Sequence, residues 1–287
     1  MRIAITGAGG FVGAALARRF AARHEVVALT RRELDVTDAG VVRRVVSRER
    51  PDVLINCAVV GVDECARDPA LARAVNADAA RRLAEAAEAA GAEFVQVSTN
   101  YVFEGALREG EFYTNGDEAR PVNEYGRTKL AGERAARGAS SRCHVVRTSW
   151  VFGAGKENFV STAARKLAAG ERVRAVADVW ASATYVEDLA ARVEEIIERR
   201  HHATYHVANA GACSYLDFAL ESARLAGLDE AEARRLVEPL SEDEMKRAAR
   251  PRRTPMRCLV SENLVLEPLR DWREALADFL RAHPPRP

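Results

Sequence analysis

Arg2-Ile3-Ala4-Ile5-Thr6-Gly7-Ala8-Gly9-Gly10-Phe11-Val12-Gly13 opens the chain and decides how the rest is read. A short apolar strand runs into a glycine-rich turn, and a helical pattern follows from Ala14 to Ala22. Strand, turn and helix in that order convert a bare glycine spacing into a candidate dinucleotide site. Gly7 permits the tight turn and Gly10 lets backbone amides approach a pyrophosphate. Gly13 allows helix to pack closely on strand, and the helix N-terminus favours the anion. The plainer alternative is an ordinary strand-to-helix turn.

The rest of the chain extends this pattern. Glu25–Thr30 reads as a second strand, Val41–Arg50 as a helix, Val53–Asn56 as a strand and Pro69–Ala90 as one long helix. Phe94–Ser98 is a fourth strand, and the loop Glu104–Asn123 leads to a helix around Tyr125 and a strand at His144–Thr148. Strands separated by helices of about ten residues or more imply a parallel sheet covered on both faces. Ligands of such sheets sit beyond the carboxyl ends of the strands. Gly7, Asn56, Thr99 and Trp150 fall at those ends and converge on one crevice.

Past Trp150 the rhythm loosens. Helices are expected at Asn158–Ala169, Thr184–Arg199, Leu216–Leu225, Glu230–Leu236 and Trp272–Ala282, with strands at Arg172–Val176 and Thr204–Ala208. The charged stretch Ser241–Pro255 is expected to be a mobile loop. The fold class is therefore α/β, a Rossmann-type doubly wound parallel sheet with a smaller α/β substrate-binding lobe. Residues 1–150 with about 178–208 would bind the dinucleotide, and about 151–177 with 209–287 the substrate.

Composition narrows the function classes. Of 287 residues nearly half are apolar, 30% are charged and the formal charge is +1, with acids and bases interspersed. Nothing resembles a basic face for nucleic acid or a polybasic run for a membrane surface. No apolar run approaches the roughly 18 residues of a membrane span. The N-terminus enters a strand at once, without a signal-peptide pattern. Cys57, Cys65, Cys143, Cys213 and Cys258 are scattered, which argues for a reducing cytoplasm and against a metal cluster.

Two local patterns carry chemistry. The second strand ends in Thr30-Arg31-Arg32, where a dinucleotide site for NADH usually has an acid. Two guanidiniums suit a ribose 2′-phosphate and favour NADPH, while Glu33 and Asp35 lie near enough to keep NADH open. Solvated arginines are the bland reading. Tyr125-Gly126-Arg127-Thr128-Lys129 places a phenol and an ammonium four residues apart, on one face of a helix. A cation that close would stabilise the phenolate by up to roughly 3–4 kcal/mol, drawing the tyrosine toward useful general-acid behaviour. Such pairs also occur as solvated surface neighbours. The chain has only four lysines, Lys129, Lys156, Lys166 and Lys246, among many arginines.

Thr6-Gly7-x-x-Gly10-x-x-Gly13, Ser98-Thr99-x-Tyr101-Val102-Phe103 and Tyr125-Gly126-x-Thr128-Lys129 together resemble the signature of extended short-chain dehydrogenase/reductases. More narrowly, the chain is similar to the dTDP-4-dehydrorhamnose reductase family. Leu34-Asp35-Val36-Thr37-Asp38, Ala74-Val75-Asn76-Ala77, Arg147-Thr148-Ser149-Trp150-Val151-Phe152-Gly153 and Trp272-Arg273-Glu274-Ala275-Leu276 extend the match over nearly the whole chain. The resemblance implies an NADPH-dependent reductase of a nucleotide-linked 4-keto-6-deoxy sugar. Thr99, Tyr125 and Lys129 would be catalytic: Thr99 would hold the ketone, Tyr125 protonate it, and Lys129 hold the nicotinamide ribose. Gly7, Gly10, Phe11, Val12, Arg31, Asp35, Val36, Cys57, Ala58, Val59 and Val97 would complete the cofactor site. Tyr101 and Trp150 would line the sugar pocket, and Asn158 and Arg253 would face the diphosphate. Blander roles are core aromatics for Tyr101 and Trp150, a helix cap for Asn158 and a solvated side chain for Arg253.

Three departures bear on the sugar. Asn100 stands where the family has Asp, Cys57-Ala58-Val59-Val60-Gly61 is shortened, and Val179–Thr184 differs from the family pattern. Ala15 replaces an acid associated with a bridging ion at some family dimers, so no metal is expected. A homodimer stays open. The alternatives are a non-catalytic NADP-binding subunit, resembling the methionine adenosyltransferase β subunit, or a nucleotide-sugar epimerase.

Overall fold

The computed structural model describes residues 1–284. Six strands form the main sheet: β1 (Arg2–Thr6), β2 (Glu25–Leu29), β3 (Val53–Asn56), β4 (Glu93–Thr99), β5 (Cys143–Thr148) and β6 (Thr204–His206). They run parallel in the order β6-β5-β4-β3-β1-β2. Every residue of β3 and β5 is buried, as expected of parallel strands covered on both faces. On one face Val42, Val45, Val46, Leu83, Ala84 and Phe94 form a core beneath helices Ala39–Glu49 and Ala79–Ala90. On the other, Ile3, Ile5, Leu16, Phe20, Leu189 and Val193 join helices Phe11–Phe20 and Val186–Arg199 to the sheet.

The order matters for the site. From β1 the chain moves outward to β2, then crosses back to place β3 on the opposite side of β1. A crevice opens at such a switch point, beyond the carboxyl ends of β1 and β3. The Thr6 hydroxyl donates to Asn56 Oδ1 at 2.7 Å there, and Asn56 Nδ2 donates to Gln96 at 2.9 Å, tying the ends of β1 and β3 to the middle of β4.

Beyond β5 the chain builds smaller sheets: Cys213–Ser214 with Trp180–Ala181 and Arg253–Thr254, and Val173–Val176 with Val237–Leu240. Phe152, Tyr185, Cys213, Phe218, Trp272 and Phe279 form one core here, and Leu167, Val173, Ala219, Leu236 and Val237 form another.

Three expectations need correction. The helix expected over Pro69–Ala90 is interrupted by a π-helical turn at Ala74–Asp78. The Asn76 carbonyl lies where a Gly132 Cβ would come within 2.1 Å, so the turn is wedged against the Tyr125 helix. Thr184–Tyr185 pairs as a strand with Val151–Phe152, so the following helix starts at Val186. Ser241–Pro255 is not an unattached loop. It carries a helical turn at Glu242–Met245, and ion pairs tie Arg250 to Asp63 (2.8 Å) and Arg252 to Asp178 (2.8 Å). No helix among the described residues is long and apolar enough to cross a membrane.

Candidate active site

The glycine turn is as tight as its residues suggest. Gly7 has φ +64°, and a Cβ there would sit 2.7 Å from the Ala58 nitrogen. A Cβ on Gly13 would approach the Gly7 carbonyl to 2.4 Å. The helix Phe11–Phe20 starts from Gly10 with no side chain capping its first amides, which leaves them available to an anion. Two cavities of about 400 and 410 Å³ extend from this point and share Gly10, Cys57 and Val59. The first runs along Gly7, Thr30, Arg31, Asp35, Val36 and Ala58. The second runs along Phe11, Val97, Thr99, Tyr101, Tyr125, Lys129 and Trp150. A bent, continuous cleft with a glycine cradle at its middle fits a dinucleotide whose pyrophosphate lies on that cradle.

The two acids that closely follow Arg31 in sequence are already engaged. Glu33 accepts from the Thr30 backbone and hydroxyl, and Asp35 accepts from Thr37 (2.9 and 2.6 Å), so both carboxyls are held below their ordinary range chiefly by these hydroxyl bonds. Arg31 lies 3.7 Å from Asp35 with its side chain 85% exposed, free to meet a second anion. Cys57 is half-buried between the two cavities, and desolvation pushes its thiol up to about 12, which keeps it protonated.

In the second cavity, Asn123 caps helix Glu124–Ala139 and sets the direction in which Tyr125 and Lys129 project. A Cβ on Gly126 would lie 2.1 Å from the Tyr101 carbonyl, so only glycine lets that helix approach the Thr99–Tyr101 segment. Lys129 Nζ donates to the Val97 carbonyl at 2.6 Å. Burial lowers its pKa to about 8, against the opposing pull of Glu133. Tyr125 departs from expectation. Burial pushes it up to about 12, with the nearby Thr99 hydroxyl working the other way. Desolvation of the half-buried phenol outweighs an ammonium that is itself buried and bonded to the Val97 carbonyl.

Tyr101 packs edge-on against Tyr125, their rings 5.8 Å apart. Trp150 stacks on Tyr215 at 3.8 Å and holds a positive φ of +39°, a strained conformation for a bulky residue. Its indole N–H and the hydroxyls of Thr148 and Ser149 are buried without a partner among the described residues, and all three residues line this cavity. Such a row of unsatisfied groups is costly unless a ligand supplies the missing bonds.

Not every expected contact converges. Asn158 lines the cavity, but its amide caps helix Phe159–Ala168 and donates to Val151 at 3.2 Å, leaving little for a ligand. Arg253 lies outside both cavities, its guanidinium held over Trp180 at 4.6 Å. Besides Lys129, the cation that lines the second cavity, beside Asn158, is Lys156. Supporting residues that sequence reasoning missed include Asn76, which grips Val60 through both backbone groups and donates to Thr128 (3.2 Å), and the buried Glu133–Arg147 pair (2.7 Å). A π-helical turn packed on the Tyr125 helix leaves no signal in sequence periodicity. Asn100 donates to Thr254 at 2.7 Å and takes a contact from Thr99 at 3.2 Å, two roles that an ionised acid could not combine.

The family model described as RmlD substrate binding domain matches residues 1–283. A dTDP-4-dehydrorhamnose reductase of Mycolicibacterium smegmatis is 43% identical, the alignment covering 98% of this chain and 85% of that protein. One of Streptomyces griseus is 39% identical over 97% of this chain and 92% of its own length. The crystal structure of dTDP-4-dehydrorhamnose reductase from Bacillus anthracis in complex with NADP superposes with a TM-score of 0.91 at 32% identity, covering 98% of this chain and 99% of the other. With a glycine cradle, a Thr99/Tyr125/Lys129 cavity and relatives aligned end to end, this chain belongs to the extended short-chain dehydrogenase/reductases of the dTDP-4-dehydrorhamnose reductase family.

Proposed function

We propose that the protein is an NADPH-dependent oxidoreductase that reduces the C4 ketone of a nucleotide-linked 4-keto-6-deoxy sugar. The observation that carries this reading is the enclosure of Thr99, Tyr125 and Lys129 in a cavity continuous with the glycine cradle at Gly10. NADPH would supply the hydride; the Bacillus anthracis relative is in complex with NADP. Arg31 is the available partner for a 2′-phosphate, since Glu33 and Asp35 are occupied by Thr30 and Thr37. Gly7, Gly10, Phe11 and Val12 would hold the pyrophosphate, with Cys57, Ala58, Val59 and Val97 along the cleft. Thr99 would orient the ketone oxygen by its hydroxyl. Tyr125 would protonate that oxygen, and its raised pKa keeps it in the donor form throughout neutral pH. Lys129, fixed by the Val97 carbonyl, would position a ribose hydroxyl and favour the phenolate left after proton transfer.

Trp150, Thr148 and Ser149 would bind the sugar, and Lys156 takes the diphosphate role expected of Arg253. We assign the cofactor to residues 1–150 with about 178–208, and the substrate to about 151–177 with 209–287. Five free thiols and the absence of a spanning helix among the described residues support a cytoplasmic setting. The test is NADPH oxidation with a panel of dTDP- and UDP-linked 4-keto-6-deoxy sugars. Turnover with at least one is expected, and none with any would overturn the reading.

A further inference from the structure

At the opposite edge of the sheet, three side chains from distant parts of the sequence meet. Glu93 begins β4, His144 lies at the start of β5, and His202 precedes β6. Both Nε2 atoms contact the same carboxylate oxygen, Glu93 Oε2, at 3.1 Å from His144 and 2.6 Å from His202. The His144 side chain is fully buried, that of Glu93 is 11% exposed and that of His202 is 30% exposed.

We propose that Glu93, His144 and His202 form a binding site for one divalent transition-metal ion, zinc being the best match to the donor set. Two imidazole nitrogens and a carboxylate oxygen are borderline donors that suit zinc or its neighbours rather than magnesium or calcium. The three donor atoms lie within 4.8 Å of one another. Metal bonds of about 2.1 Å require donors roughly 3.0–3.4 Å apart, so only small side-chain shifts are needed. His202 supplies the entry path and leaves a fourth position facing solvent.

The charge environment distinguishes this cluster. The buried acids Glu133, Glu194 and Glu242 each pair with arginine, whereas among the described residues Glu93 has only imidazole partners. A similar grouping of His24, Glu194 and Glu198 is already neutralised by Arg19 and Arg23. Glu93 and Thr99 stand at opposite ends of the seven-residue strand β4, about 20 Å apart, so an ion here braces three strand starts without touching the crevice.

The experiment uses tag-free protein stripped with EDTA, titrated with zinc chloride by calorimetry and followed by thermal melting. One zinc per chain at micromolar or tighter affinity is expected, with a Tm raised by several degrees. Affinity should fall at least tenfold in His202→Ala and in Glu93→Gln, with NADPH-dependent turnover of His202→Ala unchanged. His202 is partly exposed, so its variant folds whether or not the Glu93 variant does. Absent zinc uptake, uptake undiminished in His202→Ala (as at free cysteines), or an equal response to magnesium would each overturn the proposal.

Discussion

Replacing Lys129 with methionine is expected to cut activity severely while making the protein more heat-stable at pH 7. Burial lowers the Lys129 pKa from 10.5 to about 8. At about 1.4 kcal/mol per tenfold change in proton affinity, holding the ammonium inside the fold costs roughly 3 kcal/mol relative to the unfolded chain. Methionine removes that penalty and forgoes the bond to the Val97 carbonyl, a loss of about 1 kcal/mol. The carbonyl is not orphaned, because Gln96 Nε2 also donates to it at 2.9 Å. The net gain of about 1–2 kcal/mol corresponds to a Tm rise of about 2–6 °C. Its pH dependence fixes the cause. The folded protein releases the proton near pH 8 and the unfolded chain near 10.5, so wild-type stability rises across that window. The variant's advantage is therefore full below about pH 8 and gone by about pH 10.5. Calorimetric scans at pH 7, 9 and 10.5 measure it, alongside a turnover loss of about 100-fold or more. A variant less stable at pH 7, or a gain identical at pH 7 and 10.5, would refute the reasoning.

Arg31→Ala should weaken NADPH about tenfold, about 1.4 kcal/mol, and leave NADH unchanged in fluorescence titrations. Gly132→Ala places a Cβ 2.1 Å from the Asn76 carbonyl and should cost about 3 kcal/mol in urea denaturation. Arg147→Met leaves Glu133 buried without its guanidinium and should cost about 3–5 kcal/mol, seen as a fall in denaturation midpoint.

The parallel sheet was legible because each strand is a short apolar run and each crossover helix has its own period. The glycine turn was legible for a similar reason, since steric demands at Gly7 and Gly13 leave few other residues admissible. What escaped were features made by tertiary contact. The ion pairs that hold Ser241–Pro255 reach Asp63 and Asp178, far away in the chain. The break at Ala74–Asp78 depends on a glycine more than fifty residues later. The family resemblance implied a place in the cleft for Arg253, whereas its guanidinium is held over Trp180. The Tyr125–Lys129 spacing predicted the shared cavity but not the protonation balance, because sequence shows the neighbouring charge and conceals the desolvation.

The most direct test of the central claim compares wild type with Tyr125→Phe for NADPH oxidation by a nucleotide-linked 4-keto-6-deoxy sugar, with NADPH affinity measured in parallel. Loss of turnover by about 10²–10⁴-fold at unchanged cofactor affinity is expected. Turnover that survives the substitution would contradict the assignment of Tyr125 as the proton donor.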